Sequence, residues 1–576
     1  MQFQSLQNRN TFFALLCLLS LAHGACSSNP QPANETFAGV VAAATPEAAD
    51  AGRTTLEAGG NAVDAAVAVA FALAVTEPAM SGLGGQTQVL IYPASGQPVM
   101  INGTSYAPRK LPPNMTASDI AGHRATTVPS SVKVLQYALQ NYGSSRVSWA
   151  DVLAPAIRYA ESGFRVGPFR QRVWQRHAER LREHASTRLL FLNPDGSVPS
   201  EGQIWKQPRL AKTLKRLAQI GGEDFYRGAI AQIMAEDMQR HSGWISLDDL
   251  RQFPEPREIP PIRVSFRNCT VYSMPPPGGG WVVLQILNFL NQLPAEQLQP
   301  SSPERPLLLA RALWLGHRNR KQQPIPDLSR YEDEIRKRLD KAAARRQWQD
   351  MERGGETTHF SVVDANGMVV SVTASINSYF GARVANAELG FLYNSYMHEF
   401  VLDDPAHPFA LRPGGMPYSS MSPTVVARDG RPVLGLGSPG SARIISAVTQ
   451  VVQLWIDAGL SIQQAVAFPR LHVRPDRRVY IEDAKLKSLI EKALAGAGYQ
   501  LAEPKKDLML RGLNAYFGGV HAVAFERGRW TGAADPRRDG VVRTARRPAG
   551  KSAEESKQTL LFLASRENRP ILESRR

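Results

Sequence analysis

Two adjacent threonines, Thr357 and Thr358, head a strand-like run, Glu356-Thr357-Thr358-His359-Phe360-Ser361-Val362-Val363-Asp364, about three fifths of the way along the 576-residue chain. A threonine hydroxyl is a weak nucleophile unless a base lies beside it. One such base is the free α-amine of a threonine that begins a chain, and because that amine has a pKa of roughly 8 its neutral form is accessible. A cut between Glu356 and Thr357 would therefore create nucleophile and base in one residue. The alternation of Phe360 and Val362 reads as a half-buried strand, and Asn366-Gly367 reads as a two-residue type I′ turn that sends the chain back. That register pairs Val363 with Val370, Ser361 with Val372 and Thr358 with Ser375, and returns Ser375 and Asn377 to the side of Thr357. Threonine is also a favoured strand residue, so the same run reads as an ordinary edge hairpin.

Acyl transfer needs donors for an oxyanion. Leu436-Gly437-Ser438-Pro439-Gly440-Ser441-Ala442-Arg443 leads into an apolar helix expected over residues 444–458, which places the amides of Gly440 and Ser441 at a helix N-terminus. Free N–H groups and the positive end of the dipole stabilise developing negative charge there, each such donor contributing about 3 kcal/mol. The alternative is a glycine turn with a serine cap. Pro417-Tyr418-Ser419-Ser420-Met421-Ser422-Pro423 adds two hydroxyls between prolines, a pattern that on its own suits a turn.

The elements that must position these groups begin upstream. Residues 39–43 read as a strand, 45–58 as a helix closed by Gly59-Gly60, and Asn61 opens a second helix whose run from 65 to 75 is apolar on every face. That run is too short to span a bilayer and fits a buried core helix. Glu77-Pro78 stops it, and Met80-Ser81-Gly82-Leu83-Gly84-Gly85 turns into a strand at 88–92. A phosphate loop needs the order strand, loop, helix, which this turn reverses. Residues 305–355 carry helical periodicity with Leu307, Ala310, Leu313 and Trp314 on one face. They end in Arg353-Gly354-Gly355-Glu356, a polar, flexible stretch suited to a cleavable connection.

Composition narrows the class. Apolar residues make up 43% and charged residues 20%, as in a globular protein. Residues 1–25 follow the basic, apolar, small-residue order of a secretion signal. Cys26-Ser27-Ser28-Asn29-Pro30 then resembles a bacterial lipid-attachment site, although His23 interrupts the usual apolar position, so lipidation and plain cleavage both stand. Of the three cysteines Cys17 falls in the signal, leaving Cys26 and Cys269 and no disulfide framework. The net charge of +16 concentrates in Arg318-Asn319-Arg320-Lys321, in 336–346 and in the tail from Arg537. Without interleaved aromatic residues these runs read as solvated faces and a basic tail rather than a nucleic-acid surface. No ligand cluster or phosphate loop calls for a metal, nucleotide or flavin.

Gly59-Gly60-Asn61-Ala62-Val63-Asp64-Ala65-Ala66, Glu77-Pro78 and Gly82-Leu83-Gly84-Gly85 together resemble the opening of the gamma-glutamyltranspeptidase family. Leu153 through Phe164, Phe225-Tyr226-Arg227-Gly228, Ile245-Ser246-Leu247-Asp248-Asp249-Leu250 and Tyr272-Ser273-Met274-Pro275-Pro276-Pro277 resemble further landmarks in family order, over residues 39–538. The resemblance implies a self-made cut before Thr357, with Thr357 as nucleophile, Ser375 where the family commonly has an assisting threonine, and Gly440 and Ser441 as oxyanion donors, Ser441 replacing a glycine. It implies donor binding by Asn377, Ser419 and Ser420, by Glu399 at an aspartate position and by Tyr396 at a glutamine position. It also implies an arginine for the donor's α-carboxylate where Asn102-Gly103-Thr104-Ser105-Tyr106-Ala107-Pro108 has Thr104. A hydroxyl cannot reproduce a bidentate guanidinium contact, and Arg109 and Lys110 are the nearby cations. Residues 403–417 are short where many members have a longer lid, which suggests a more open site.

The fold implied is α+β, a four-layer αββα sandwich of the N-terminal-nucleophile hydrolase type. Residues 1–25 are the signal, 26–38 a polar spacer, 39–356 a large subunit and 357–576 a small subunit with a basic C-terminal tail. The expected function is transfer or hydrolysis of a gamma-glutamyl or related acyl amide such as glutathione. Water or an amino acid or peptide amine is the acceptor, in a periplasmic or membrane-anchored exported protein without cofactor. An acylase acting on a non-glutamyl amide and an unprocessed, inactive cell-surface binding protein are the competing readings.

Overall fold

The apolar run after Asn61 does form a helix buried on every face. In the computed structural model, which describes residues 35–322, 339, 357–504 and 508–548, Thr45 caps helix α1 (Pro46–Glu57). Asn61 caps α2 (Ala62–Thr76) through a reciprocal pair with Asp64. All fifteen residues of α2 are buried. The polar caps fix where each helix begins, and the absence of a polar face leaves α2 only an interior position.

Thirteen strands make two antiparallel sheets. They are β1 (Glu35–Ala43), β2 (Gln86–Tyr92), β3 (Val99–Asn102), β4 (Arg257–Ile259), β5 (Ile262–Phe266), β6 (Cys269–Ser273), β7 (Thr358–Asp364), β8 (Val369–Ser375), β9 (Thr424–Arg428), β10 (Arg431–Gly437), β11 (His521–Glu526), β12 (Arg529–Ala534) and β13 (Val541–Pro548). One sheet runs β13-β1-β7-β8-β2-β3-β4 and the other β12-β11-β10-β9-β6-β5. Period-two alternation divides each strand between two cores. Val40, Ala42, Leu90, Val363 and Val369 meet Tyr272, Val425, Ala427 and Val523 between the sheets. Val41, Val362, Val370 and Val372 pack outward on the layer containing α1 and α2. Val271, Leu434, Leu436 and Ala522 pack outward on α4 (Gly280–Leu290), α5 (Arg305–Gln322) and α6 (Arg443–Ile456). Three apolar interfaces make four layers, the αββα order expected. Among the described residues no helix is long and apolar enough to cross a membrane.

The hairpin differs from its expected register. Val363 pairs with Val369 and Thr358 with Ala374, one position away from the type I′ reading. Asp364 is the reason: its Oδ1 accepts from the amides of Asn366 at 2.9 Å and Met368 at 3.1 Å, and its carbonyl accepts from Gly367 N at 3.1 Å. The turn thus has three central residues, with Gly367 alone at positive φ, 88°. Within the sheet β7 and β8 are central, not edge, strands.

Candidate active site

Alternation along β7 decides what surrounds its head. His359 reaches Thr373 Oγ1 on β8 and Ser361 Oγ, each at 3.0 Å, on the face turned toward the second sheet. Ser371 Oγ donates to Leu436 O at 3.0 Å, and Ser361 Oγ to His521 O at 3.2 Å, so this polar ladder stitches the sheets together. Burial holds the His359 imidazole well below its ordinary pKa, with His521 adding to the effect. One step beyond the last pair, Thr358 with Ala374, the same register sets Thr357 and Ser375 opposite each other on this inner face. They are 3% and 1% exposed. Thr358 points the other way and donates to Glu77 Oε2 at 2.6 Å, at the C-terminal cap of α2. Burial raises the Glu77 carboxyl, while Arg538, the Thr358 hydroxyl and Arg170 pull it back.

Six of the remaining candidates form one connected network. Tyr396 is hydrogen-bonded to Ser375, Gln86 and Ser419, and burial raises its phenol. Asn377, at φ 71°, donates from its amide to Ser375 Oγ at 2.8 Å and from Nδ2 to Ser395 O at 3.0 Å. Its side chain also bonds Glu399, whose half-buried carboxyl is raised by burial and lowered by Asn377 and Arg320. Arg320 Nη2 donates to Ser420 Oγ at 2.8 Å and Ser419 O at 3.1 Å. Its guanidinium lies 4.2 Å from the Tyr418 ring centre.

Arg320 is a correction to the sequence reading. The run containing it is not a solvated face: Arg320 is 1% and Asn319 6% exposed. The stripe Ala310, Leu313, Trp314 continues through His317 to Arg320 at helical spacing, a signal that the charge run masked. The same holds for the start of the tail. Arg537 and Arg538 are buried, Arg537 against Asp535 Oδ1 at 3.0 Å and against Glu482. Of residues 336–346 only 339 is described, and residues 1–34 lie outside the described residues.

Thr104 is buried, but its hydroxyl is engaged inside the fold. It donates to Asn102 Oδ1 at 2.7 Å and accepts from Gln88 Nε2 at 3.0 Å. Arg109 does not replace the missing arginine, because its amide and guanidinium are bound to Asp249 and Gln252 beside the helix Leu247–Arg251. The short segment 403–417 is anchored on the loop that follows Thr104. Gly415 O accepts from Ala107 N at 2.8 Å, and Tyr396, Ser419 and Ser420 are at most 7% exposed.

Gly440 and Ser441 lie on the loop from β10 to α6. Gly437, which ends β10, packs so closely on His359 that an added Cβ would come within 2.4 Å of the ring, placing this loop beside the head of β7. Gly440 has φ 124° and Ser441 φ 67°. Ser441 therefore holds the left-handed conformation in which glycine is unstrained. Arg443, the first residue of α6, lies 4.8 Å from the Tyr516 ring. Burial and then Arg538, Arg176 and Arg474 lower its pKa to about 10, so this side of the loop is strongly positive.

Glu77, Gln86, Arg320 and Arg443 are the groups that sequence reasoning did not single out. None of the ten candidates belongs to the group of His and carboxylate residues that could hold a metal among the described residues, His123, Asp237 and His241.

Comparison with known proteins supplies the lineage. A "Glutathione hydrolase proenzyme" of Pseudomonas sp. (strain A14) is 31% identical over 91% of this chain and 96% of its own length. An "Acylase ACY 1 proenzyme" of Pseudomonas sp. (strain V22) is 32% identical over 87% and 93%. The crystal structure of cephalosporin acylase from Bacillus halodurans superimposes with a TM-score of 0.79 at 27% identity, over 90% of this chain and 98% of that one. The sequence pattern of the family described as Gamma-glutamyltranspeptidase matches residues 48–545, and the chain belongs to that family of enzymes.

Proposed function

We propose that the chain cleaves itself before Thr357 and acts as an amidohydrolase or transferase on a gamma-glutamyl or closely related carboxylate-bearing acyl amide, of which glutathione is one. The carrying observation is the placement of Thr357 at the head of a central strand, opposite Ser375 and one residue from the Thr358–Glu77 contact. In the proposed reaction Thr357 Oγ attacks the amide carbonyl carbon and passes its proton to its own α-amine. The C–N bond breaks, the amine leaves with that proton, and the acyl group remains as an ester on Thr357 until water or an acceptor amine takes it. The amides of Gly440 and Ser441 hold the oxyanion. Residues 39–356 and 357–576 then form the two subunits, and the segment 1–25 directs export.

Carboxylate recognition rests on Ser419 and Ser420 with Arg320 behind them. Arg320 donates to Ser420 Oγ, so the hydroxyl proton of Ser420 is free to turn toward an anion, with a buried positive charge at its back. Glu399, steadied by Asn377, suits the α-amine of a gamma-glutamyl group. A second reading, an acylase for non-glutamyl amides, is supported by the engagement of Thr104 inside the fold. Matched gamma-glutamyl and glutaryl anilides, which differ by that α-amine, separate the two. Preference for the gamma-glutamyl compound, lost in Glu399→Gln, is expected. Equal or better turnover of the glutaryl compound, unaffected by Glu399→Gln, would establish the acylase reading.

A further inference from the structure

We propose that His123, Asp237 and His241 form a binding site for a divalent transition-metal ion of the zinc class, separate from the Thr357 nucleophile and attached to the turn that carries Tyr396. Asp237 lies in the last turn of α3 (Ala229–Arg240) and His241 follows four residues later, so both side chains share a helix face. His123 comes from the short turn Gly122–Ala125. Asp237 divides its oxygens between the two imidazoles. Oδ2 is 3.3 Å from His123 Nε2, and Oδ1 is 3.3 Å from His241 Nδ1. One ligand atom from each residue lies within 4.8 Å of the others.

A second observation points to a ligand. His123 is 8% exposed, and its Nε2, aimed into the cluster, faces Asp237 Oδ2 at 3.3 Å without the geometry of a well-formed hydrogen bond. The supporting contacts match those of metal-bound histidines and carboxylates. His241 Nδ1 is 2.9 Å from Asp237 O; an N–H donated there leaves the lone pair on Nε2. Tyr393 donates to Asp237 Oδ2 at 2.9 Å. Two imidazoles and a carboxylate suit zinc-class ions, whose bonds of roughly 2.0–2.2 Å require the ligand atoms to close on one another. His241 can supply that movement, since its side chain is 52% exposed. Its open side leaves a position for water, and Arg240, 3.7 Å from Asp237 Oδ1, is the cation the metal would displace.

The site is tied to the candidate substrate pocket by short runs of chain joined by hydrogen bonds. Thr127 donates its amide and hydroxyl to Asn394 Oδ1 at 3.1 and 2.8 Å. Asn394 lies between Tyr393, which holds Asp237, and Ser395, which accepts from Asn377. An ion there would pin the turn at 393–399 against two other segments.

The test uses the purified full chain, processed or not, stripped with a chelator and titrated with zinc chloride alone. One equivalent should bind by calorimetry, and Tm should rise by a few degrees at zinc well above its Kd. Both effects should disappear in His241→Ala, whose exposed position leaves folding intact, and in Asp237→Asn. An unchanged Tm and no heat of binding at about 100 µM zinc, or the same response in wild type and His241→Ala, would overturn the proposal.

Discussion

At Ser441 the proposed oxyanion donor, a backbone N–H, can be separated by mutation from the side chain. A residue other than glycine in the left-handed region carries strain of order 1 kcal/mol, and the φ of 67° at Ser441 is such a case. Ser441→Gly should therefore raise stability by about 1 kcal/mol while leaving kcat within roughly twofold, because the proposed donor is the backbone N–H. Denaturant unfolding and steady-state kinetics on the same preparation check both parts. A large loss of kcat would mean that the hydroxyl takes part. Arg320 makes a different prediction. Charged hydrogen bonds contribute about 1.5–3 kcal/mol, so Arg320→Met should lower kcat/KM for carboxylate-bearing acyl donors roughly tenfold to a hundredfold. Matched donors lacking the carboxylate should change little. Equal losses on both would reduce Arg320 to a packing role. Ser375, Asn377, Tyr396, Glu399, Ser419 and Ser420 were named as candidates from the sequence because each falls at a position of the family's motifs. Arg320 and Glu77 were not, since each reaches the site across some hundred residues or more of chain.

Among the elements, the hairpin of β7 and β8 shows what periodicity can and cannot supply. Alternation identified the strands, and Asn366-Gly367 identified the turn. The register depended on Asp364, whose side chain holds two turn amides and also accepts from Ala62 N, at the start of α2, at 3.1 Å. Asp364→Ala should cost about 1–3 kcal/mol, because it leaves unpaired the buried amide of Ala62 on the helix and the part-buried amides of the turn. Urea unfolding measures that loss, and a change under a few tenths of a kcal/mol would contradict it. The one-residue difference matters for chemistry, since side chains alternate faces. In the observed register Thr357 and Ser375 share the inner face. The helix starts expected at Thr45 and Asn61 were equally local and lie within one residue of those observed, whereas the layer order depended on sheet pairings far apart in sequence and came from family resemblance alone.

At the scale of the molecule, the polar interior sets the response to acid. His521 is buried with its pKa lowered to about 4, and His317 to about 3, burial being the leading cause in each. Both stay neutral in the fold while the unfolded chain takes up protons near 6.5, so stability is full above that value and is lost as pH falls toward the folded pKa. Between pH 7.5 and 5.5 each such histidine should remove about 1 kcal/mol. Glu77 and Glu399, raised by burial above 4.5, act in the opposite sense. The histidine share is therefore read by difference: His521→Gln should lose about 1 kcal/mol less than wild type over the same interval, and identical losses would refute it. In the proposed function the whole arrangement has its chemical meaning in a single new chain end, where the amine of Thr357 would become part of the site. N-terminal sequencing of the fragments of purified wild type and Thr357→Ala tests this most directly. The expected result is a wild-type fragment beginning at Thr357, absent from an uncut Thr357→Ala chain. A wild-type protein that stays whole and active, or a variant cut at the same bond, would contradict it.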